Sequence, residues 1–245
     1  MSSAYDLACL KHRPIAVHPL GQDSATARDL VTRASATYAG TVSIGPPVAP
    51  GLRESHNLSA SNSVVGFGFA PGAIWASGLP VSVDGWVWPT SWQTASGAYA
   101  FSVWTATQNR QLMFSLGPEN GGYINVNSAI SSGGGQFNSQ VSDLSYVGLN
   151  KPHYIAVVGT VDDTISIYLN GQRVWGPVAW PNRHGGNGTP RVGRPADTFW
   201  GMVAGYYSNW CIYPKSLTSG DIMEHWELGM GHLDAQTRPW LGLAA

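Results

Sequence analysis

Through most of the chain, apolar and polar positions alternate over short stretches with the period of half-buried β-strands. In residues 81–88, Val81, Val83 and Val87 fall on one side, interrupted by Gly85, and Ser82, Asp84, Trp86 and Trp88 fall on the other. Pro89 then ends that strand. Residues 99–104, 111–117 and 121–127 read as three more strands, each bounded by Gly, Asn or Pro. The strongest signal is the pair 153–161 and 164–174, where Ile165, Ile167 and Leu169 alternate with Ser166, Tyr168 and Asn170. Asn170-Gly171 suits the positive φ values of a type I′ turn, so three antiparallel strands are expected there. Two or three short edge strands fit between Pro14 and Pro50, and a last strand spans 206–213. Residues 177–190 hold few strand formers and read as a long loop, the kind of segment that tends to carry function.

Helices are expected only near the two ends. Residues 4–10 follow Ser2 or Ser3 as N-cap and stop before Pro14. Thr218 has Asp221 three residues on, a variant of the capping box, and Ile222 and Trp226 share one helical face before Gly229 closes it. About a dozen short strands with frequent turn signals point to an all-β fold, two antiparallel sheets packed as a jelly-roll sandwich. The expected organisation is a helical N-terminal arm (1–13), one sandwich domain (14–230) carrying a single C-terminal helix, and a short apolar tail (231–245) that docks on its own domain or on a neighbouring subunit.

Composition supports this reading and narrows the chemistry. Thirty Gly, sixteen Pro, eleven Trp and ten Tyr, against three Lys and four Glu, favour short strands and tight turns over helices. Thirteen Lys and Arg balance fourteen Asp and Glu, which excludes the basic excess that nucleic acid requires. No run of apolar residues is long enough for a membrane span, and the first residues do not read as a signal peptide. Cys9 and Cys211 are too few for a disulfide framework, and a bond between them needs the arm to lie beside the last strand. Seven His without ligand spacing make zinc improbable.

Several separated motifs carry a family resemblance. Val83-Asp-Gly-Trp-Val-Trp-Pro, His153-Tyr-Ile-Ala-Val-Val, Ile165-Ser-Ile-Tyr-Leu-Asn-Gly-Gln, Val192-Gly-Arg, and Phe199-Trp-Gly-Met-Val through Ile212-Tyr-Pro-Lys-Ser-Leu-Thr resemble, in order and spacing, the concanavalin A-like, laminin-G-like jelly rolls. The lead-in from Pro14 to Leu30, with Tyr38-Ala-Gly-Thr, further resembles that of minor tail proteins of actinobacterial phages, although Val17-His18-Pro19 stands where those tend to have Tyr-Trp. The resemblance spans most of residues 4–230. It implies a non-enzymatic virion component, a minor tail protein or head-surface decoration, assembled in the host cytoplasm. Its implied partners are other virion proteins, copies of itself in a homo-oligomer, and host-envelope glycans. A cellular carbohydrate-binding, lectin-like module is the alternative reading, and a glycoside hydrolase the remote one.

The hydrolase reading fails a spacing test. Retaining enzymes on such a sandwich need carboxylates at i, i+2 and i+4 of one strand, so that acid and nucleophile stand about 5–5.5 Å apart. Glu54, Glu119, Glu224 and Glu227 form no such pattern. For sugar binding, Trp180 offers an aromatic platform beside Asn182, Arg183 and His184, with Trp92 as a second exposed candidate. The same residue types also suit a protein contact. Trp86, Trp210 and Trp226 are expected in the core. The resemblance also implies one Ca²⁺ at a sheet rim, since that ion asks only for hard oxygens in a flexible loop. Asp84, Asp143, Asp162, Asp163 and Asp197 are its candidate ligands, although an Asp in a turn commonly bonds its own backbone instead.

Overall fold

The computed structural model describes residues 3–20, 28–60, 63–68, 72–92, 98–104, 110–116, 124–129, 136–140, 147–181, 183, 185–186, 188–193 and 201–232. Along them run α1 (Ala4–Lys11), β1 (Ala16–His18), β2 (Thr37–Ala39), β3 (Val42–Gly45), β4 (Ser55–Leu58), β5 (Val64–Gly66), a 3-10 turn (Gly72–Trp75) and β6 (Val81–Trp92). Then come β7 (Ala98–Trp104), β8 (Arg110–Leu116), β9 (Ile124–Ala129), β10 (Gln136–Gln140), β11 (His153–Gly159), β12 (Thr164–Leu169), β13 (Gln172–Ala179), β14 (Thr189–Gly193), β15 (Gly201–Tyr213) and α2 (Ser219–Gly229).

The strands form two antiparallel sheets. One runs β10-β9-β8-β7 and continues through β14 and β5 to β2. The other runs β13-β12-β11-β6-β15, with β1 and β4 on the far side of β15 and β3 beyond β4. β15 links them. Its first residues, Gly201 and Met202, run parallel to Ala98 and Tyr99 of β7, and from Val203 onward it pairs antiparallel with β6. At the β12–β13 turn, Asn170 and Gly171 have φ of 51° and 82°, as a type I′ hairpin requires.

Strand alternation decides what each face of the second sheet covers. Val81, Val83 and Val87 of β6, Ile155 and Val157 of β11, and Ile165 and Ile167 of β12 point inward and share one core with Phe101, Val103, Leu112 and Ile124 of the opposite sheet. Gly85 falls on the same side and leaves room for an indole: a Cβ there would lie 2.2 Å from the Trp210 ring. Trp210 stacks on Phe101 with centroids 5.1 Å apart, tying the two sheets together. At about 25 cal/mol per Å² of apolar surface, burying one such ring contributes on the order of 4 kcal/mol.

The outer face of this sheet is covered by the two helices. Trp86, Tyr154, Ala156, Tyr168, Cys211 and Tyr213 form a second core with Tyr5, Ala8 and Cys9 of α1 and with Ile222 and Leu228 of α2. Both helices begin with a reciprocal capping box, Ser3 with Asp6 and Thr218 with Asp221. Asn209, at φ 50° within a register shift of β15, donates from Nδ2 to Asp6 Oδ1 at 2.7 Å, so an irregularity in the last strand anchors α1. The N-terminal helix therefore lies beside that strand. The Cys9 and Cys211 thiols are both free and buried in this second core, and Cys211 Sγ donates to Asn209 O at 3.8 Å. At the other end His232 N donates to Glu227 O at 2.9 Å, and its ring meets Trp226 edge-on. The expected docking of the tail falls on residues 233–245, outside the described residues.

Candidate functional site

The segment expected to be an exposed sugar-reading loop is instead a structural corner. Its first residues continue β13, and Trp180 is buried, 1% exposed. The ring packs over Gly159, where a Cβ would come within 2.7 Å of it. Arg183 lies over the indole with its guanidinium carbon 4.5 Å from the ring centroid. That guanidinium donates to Thr160 O at 3.0 Å, to Asp163 Oδ1 at 3.2 Å and to Leu79 O at 2.7 Å. Trp180 and Arg183 thus pin the loop to the β11–β12 turn and present no aromatic platform. Asn182 and His184 lie outside the described residues, as does the side chain of Trp92 at the end of β6.

Of the candidate calcium ligands, Asp163 and Asp84 lie apart and are each engaged by other groups. Asp163 accepts from Ser77, from Gly78 N at 3.0 Å and from Arg183. Burial opposes its ionised form, yet these bonds hold its carboxyl below the usual range. Asp162 beside it is exposed. Asp84 is not at a sheet rim but fully buried beneath α2, because strand alternation turns it to the helix-covered face. There Tyr154 OH donates to its Oδ2 at 2.7 Å, and His225 Nδ1 lies 2.8 Å from the same oxygen. Burial works against the His225 imidazolium, but the Cys9 sulfur and the bonded Asp84 carboxylate outweigh it and lift the ring to about 9. Asp143 and Asp197 lie outside the described residues, and among those described no three His, Cys, Asp or Glu gather as a metal site.

A cavity of about 370 Å³ opens at the turn end of β11, β12 and β13, where α2 crosses the hairpin. Lys151, His153, Asn170, Gln172, Arg173 and Trp226 are among its lining residues. The hairpin turn brings Asn170, Gln172 and Arg173 together, and the helical phase of α2 sets Trp226 over the turn. A Cβ on Gly171 would lie 3.3 Å from the Trp226 ring and 2.9 Å from Met223 Sδ. Trp226, expected in the core, is instead only partly buried: it packs against the second core and presents part of its ring to the cavity.

The polar groups here have assigned roles. Asn170 Oδ1 accepts from Tyr154 N at 3.0 Å, which leaves its Nδ2 donors as what it offers the cavity. His153 Nε2 bonds Gly148 O at 3.0 Å, and Nδ1, buried, has no partner among the described residues. Burial lowers His153 to about 4 despite that bond, so its ring is neutral near pH 7, Nε2–H is the donor, and Nδ1 is an unused acceptor. Aromatic, amide and guanidinium groups in one concavity of this size suit a small polar ligand with an apolar face. In sequence these residues lay hidden as a turn, a strand start and a helix face, and their only local signal was Lys151 and Arg173 in a chain with three Lys.

No family model and no curated protein matches this chain. Solved structures do match it in fold. Domain 4 of AbnA, a GH43 extracellular arabinanase from Geobacillus stearothermophilus solved with arabinotriose, superposes with a TM-score of 0.64 at 16% identity, over 86% of this chain and 97% of that domain. The botulinum neurotoxin serotype D ligand-binding domain, solved with N-acetylneuraminic acid, gives 0.64 at 14% identity over 90% of this chain, and the chain spans about half of it (52%). Trypanosoma rangeli sialidase, solved with the inhibitor DANA, gives 0.59 at 10% identity over 86% of this chain, which spans 32% of that enzyme. Together with the two antiparallel sheets described above, these likenesses show a two-sheet jelly-roll sandwich with two short helices packed on one sheet.

Proposed function

We propose that this protein is a non-enzymatic, lectin-like module that binds carbohydrate in the cavity beneath Trp226. The observation that carries this reading is the cavity itself: an aromatic face set beside Asn170, Gln172 and Arg173, with volume for one or two sugar rings. The apolar face of a pyranose or furanose stacks on the indole, and the amide and guanidinium donors meet its hydroxyls. The arabinanase domain that this chain matches over 97% of its length was solved with an oligosaccharide bound, which supports the class of ligand. No Asp or Glu of the described residues lines the cavity, whereas glycoside hydrolysis needs a pair of carboxylates, which favours binding over catalysis.

The test is calorimetric titration with arabinotriose and a panel of envelope oligosaccharides, on the native chain and on Trp226→Ala. Binding that weakens at least tenfold in the variant, with its melting temperature little changed, supports the site. Binding that survives unchanged places the sugar elsewhere. The sequence resemblance to minor tail proteins motivates a setting for such a module on a phage particle, in contact with other virion proteins. Mass spectrometry of purified particles tests it, and absence of the chain from them overturns that setting.

A further inference from the structure

Resting on that reading, we infer that the cavity selects sugars bearing a carboxylate over neutral ones. Two of the six polar or aromatic groups named at its wall are cations, Lys151 and Arg173, and no acidic side chain of the described residues lines it. The molecule as a whole is almost neutral, with a formal charge of −1, so a cavity wall with cations and no acidic side chain among the described residues is not a reflection of bulk composition. Register fixes Arg173: it pairs with Tyr168 across the β12–β13 hairpin, two residues from the turn, and it is an exposed residue of the cavity wall. Among the described residues Arg173 has no ion pair, whereas Arg183 is spent on Asp163 and Lys11 on Glu224. A planar guanidinium takes a carboxylate through two parallel hydrogen bonds, a geometry that a hydroxyl cannot match.

The remaining wall groups fit the same ligand. Asn170 presents donors, because its carbonyl oxygen is held by Tyr154 N. His153 is neutral and contributes no charge of its own near pH 7. Trp226 supplies the surface on which the ring of the sugar rests while its carboxylate points to Arg173. Two kinds of acidic sugar share this chemistry, a hexuronate with the carboxylate on C6 and a sialate with it on the anomeric carbon.

The experiment compares trigalacturonate with galactotriose, and 3′-sialyllactose with lactose, by calorimetry at low and at high salt. The expected result is at least tenfold tighter binding of one acid than of its neutral partner at 20 mM salt, and the acid that shows it names the source. That preference should shrink at 500 mM salt and collapse in Arg173→Gln, a change at an exposed residue that leaves the core intact. In that variant the acid should lose more affinity than its neutral partner. Equal affinity for acidic and neutral sugars, with binding still dependent on Trp226, overturns the inference and leaves the module reading standing. Loss of all sugar binding by the native chain overturns both.

Discussion

Arg183 shows how a residue with the chemistry of a binding site can be structural. Its side chain is 1% exposed, and its three acceptors come from two separate segments: Leu79 before β6, and Thr160 and Asp163 in the β11–β12 turn. Arg183→Ala removes the guanidinium donor from Leu79 O and from the Asp163 carboxylate, leaves Thr160 O with Asp163 N alone, and opens a void beside Trp180. It should lower unfolding free energy by about 2–4 kcal/mol, read from urea denaturation, with sugar binding in the cavity retained. A loss below about 0.5 kcal/mol would mean that the corner does not hold the loop. The sequence displayed Trp180, Arg183 and Asp163 with the right residue types for sugar or calcium, but nothing local showed that they satisfy one another. Asp84 misled in the same way: its strand position was legible, but the His225 and Tyr154 that claim its carboxylate come from elements 141 and 70 residues away.

At the scale of elements, the period-two pattern was a sound guide. The valines of β6 and the isoleucines of β12 lie on the inner face, and the Asn170-Gly171 turn adopts its expected φ values. Gly85 interrupts that pattern for a reason that alternation could not supply, since the space it leaves belongs to Trp210 of β15. Gly85→Ala should therefore destabilise the protein by more than about 2 kcal/mol, because rigid backbone and a fully enclosed indole cannot both give way. A melting temperature within a degree or two of the native one would contradict that packing. Helix α1 is short and its sequence is weakly amphipathic, so its place could not be read locally; Asn209 and the second core hold it. With Cys9 and Cys211 fully buried there, and burial pushing the Cys211 thiol up, neither should react with Ellman's reagent in the native protein, and both should react in denaturant. Rapid labelling of Cys9 under native conditions would mean that α1 opens on its own.

For the whole molecule, buried histidines of opposite behaviour define a pH window. Burial holds His18 and His153 at about 4, below the 6.5 of an unfolded chain, so the unfolded state takes up protons first and stability is lost as pH falls from about 6.5 through 4. His225, lifted to about 9, contributes stability that is complete below 6.5 and is lost as pH rises through 9. Melting temperature should peak near neutral pH, with slopes on the order of 1 kcal/mol per pH unit and per histidine on either side. His225→Gln should flatten the limb between 6.5 and 9 and leave the acid limb in place; an unchanged alkaline limb would remove His225 from the account. The sequence by itself determined the all-β class, most strand positions, the hairpin turn and both helix caps, because these depend on side chains within a few residues of one another. Only the tertiary structure decided that the Trp180 loop is a buried clamp, that Asp84 is a buried partner of Tyr154 and His225, and that Trp226 of α2 meets Asn170 and Arg173 across a cavity. Those outcomes depend on which distant elements share a face, and no local period carries that information.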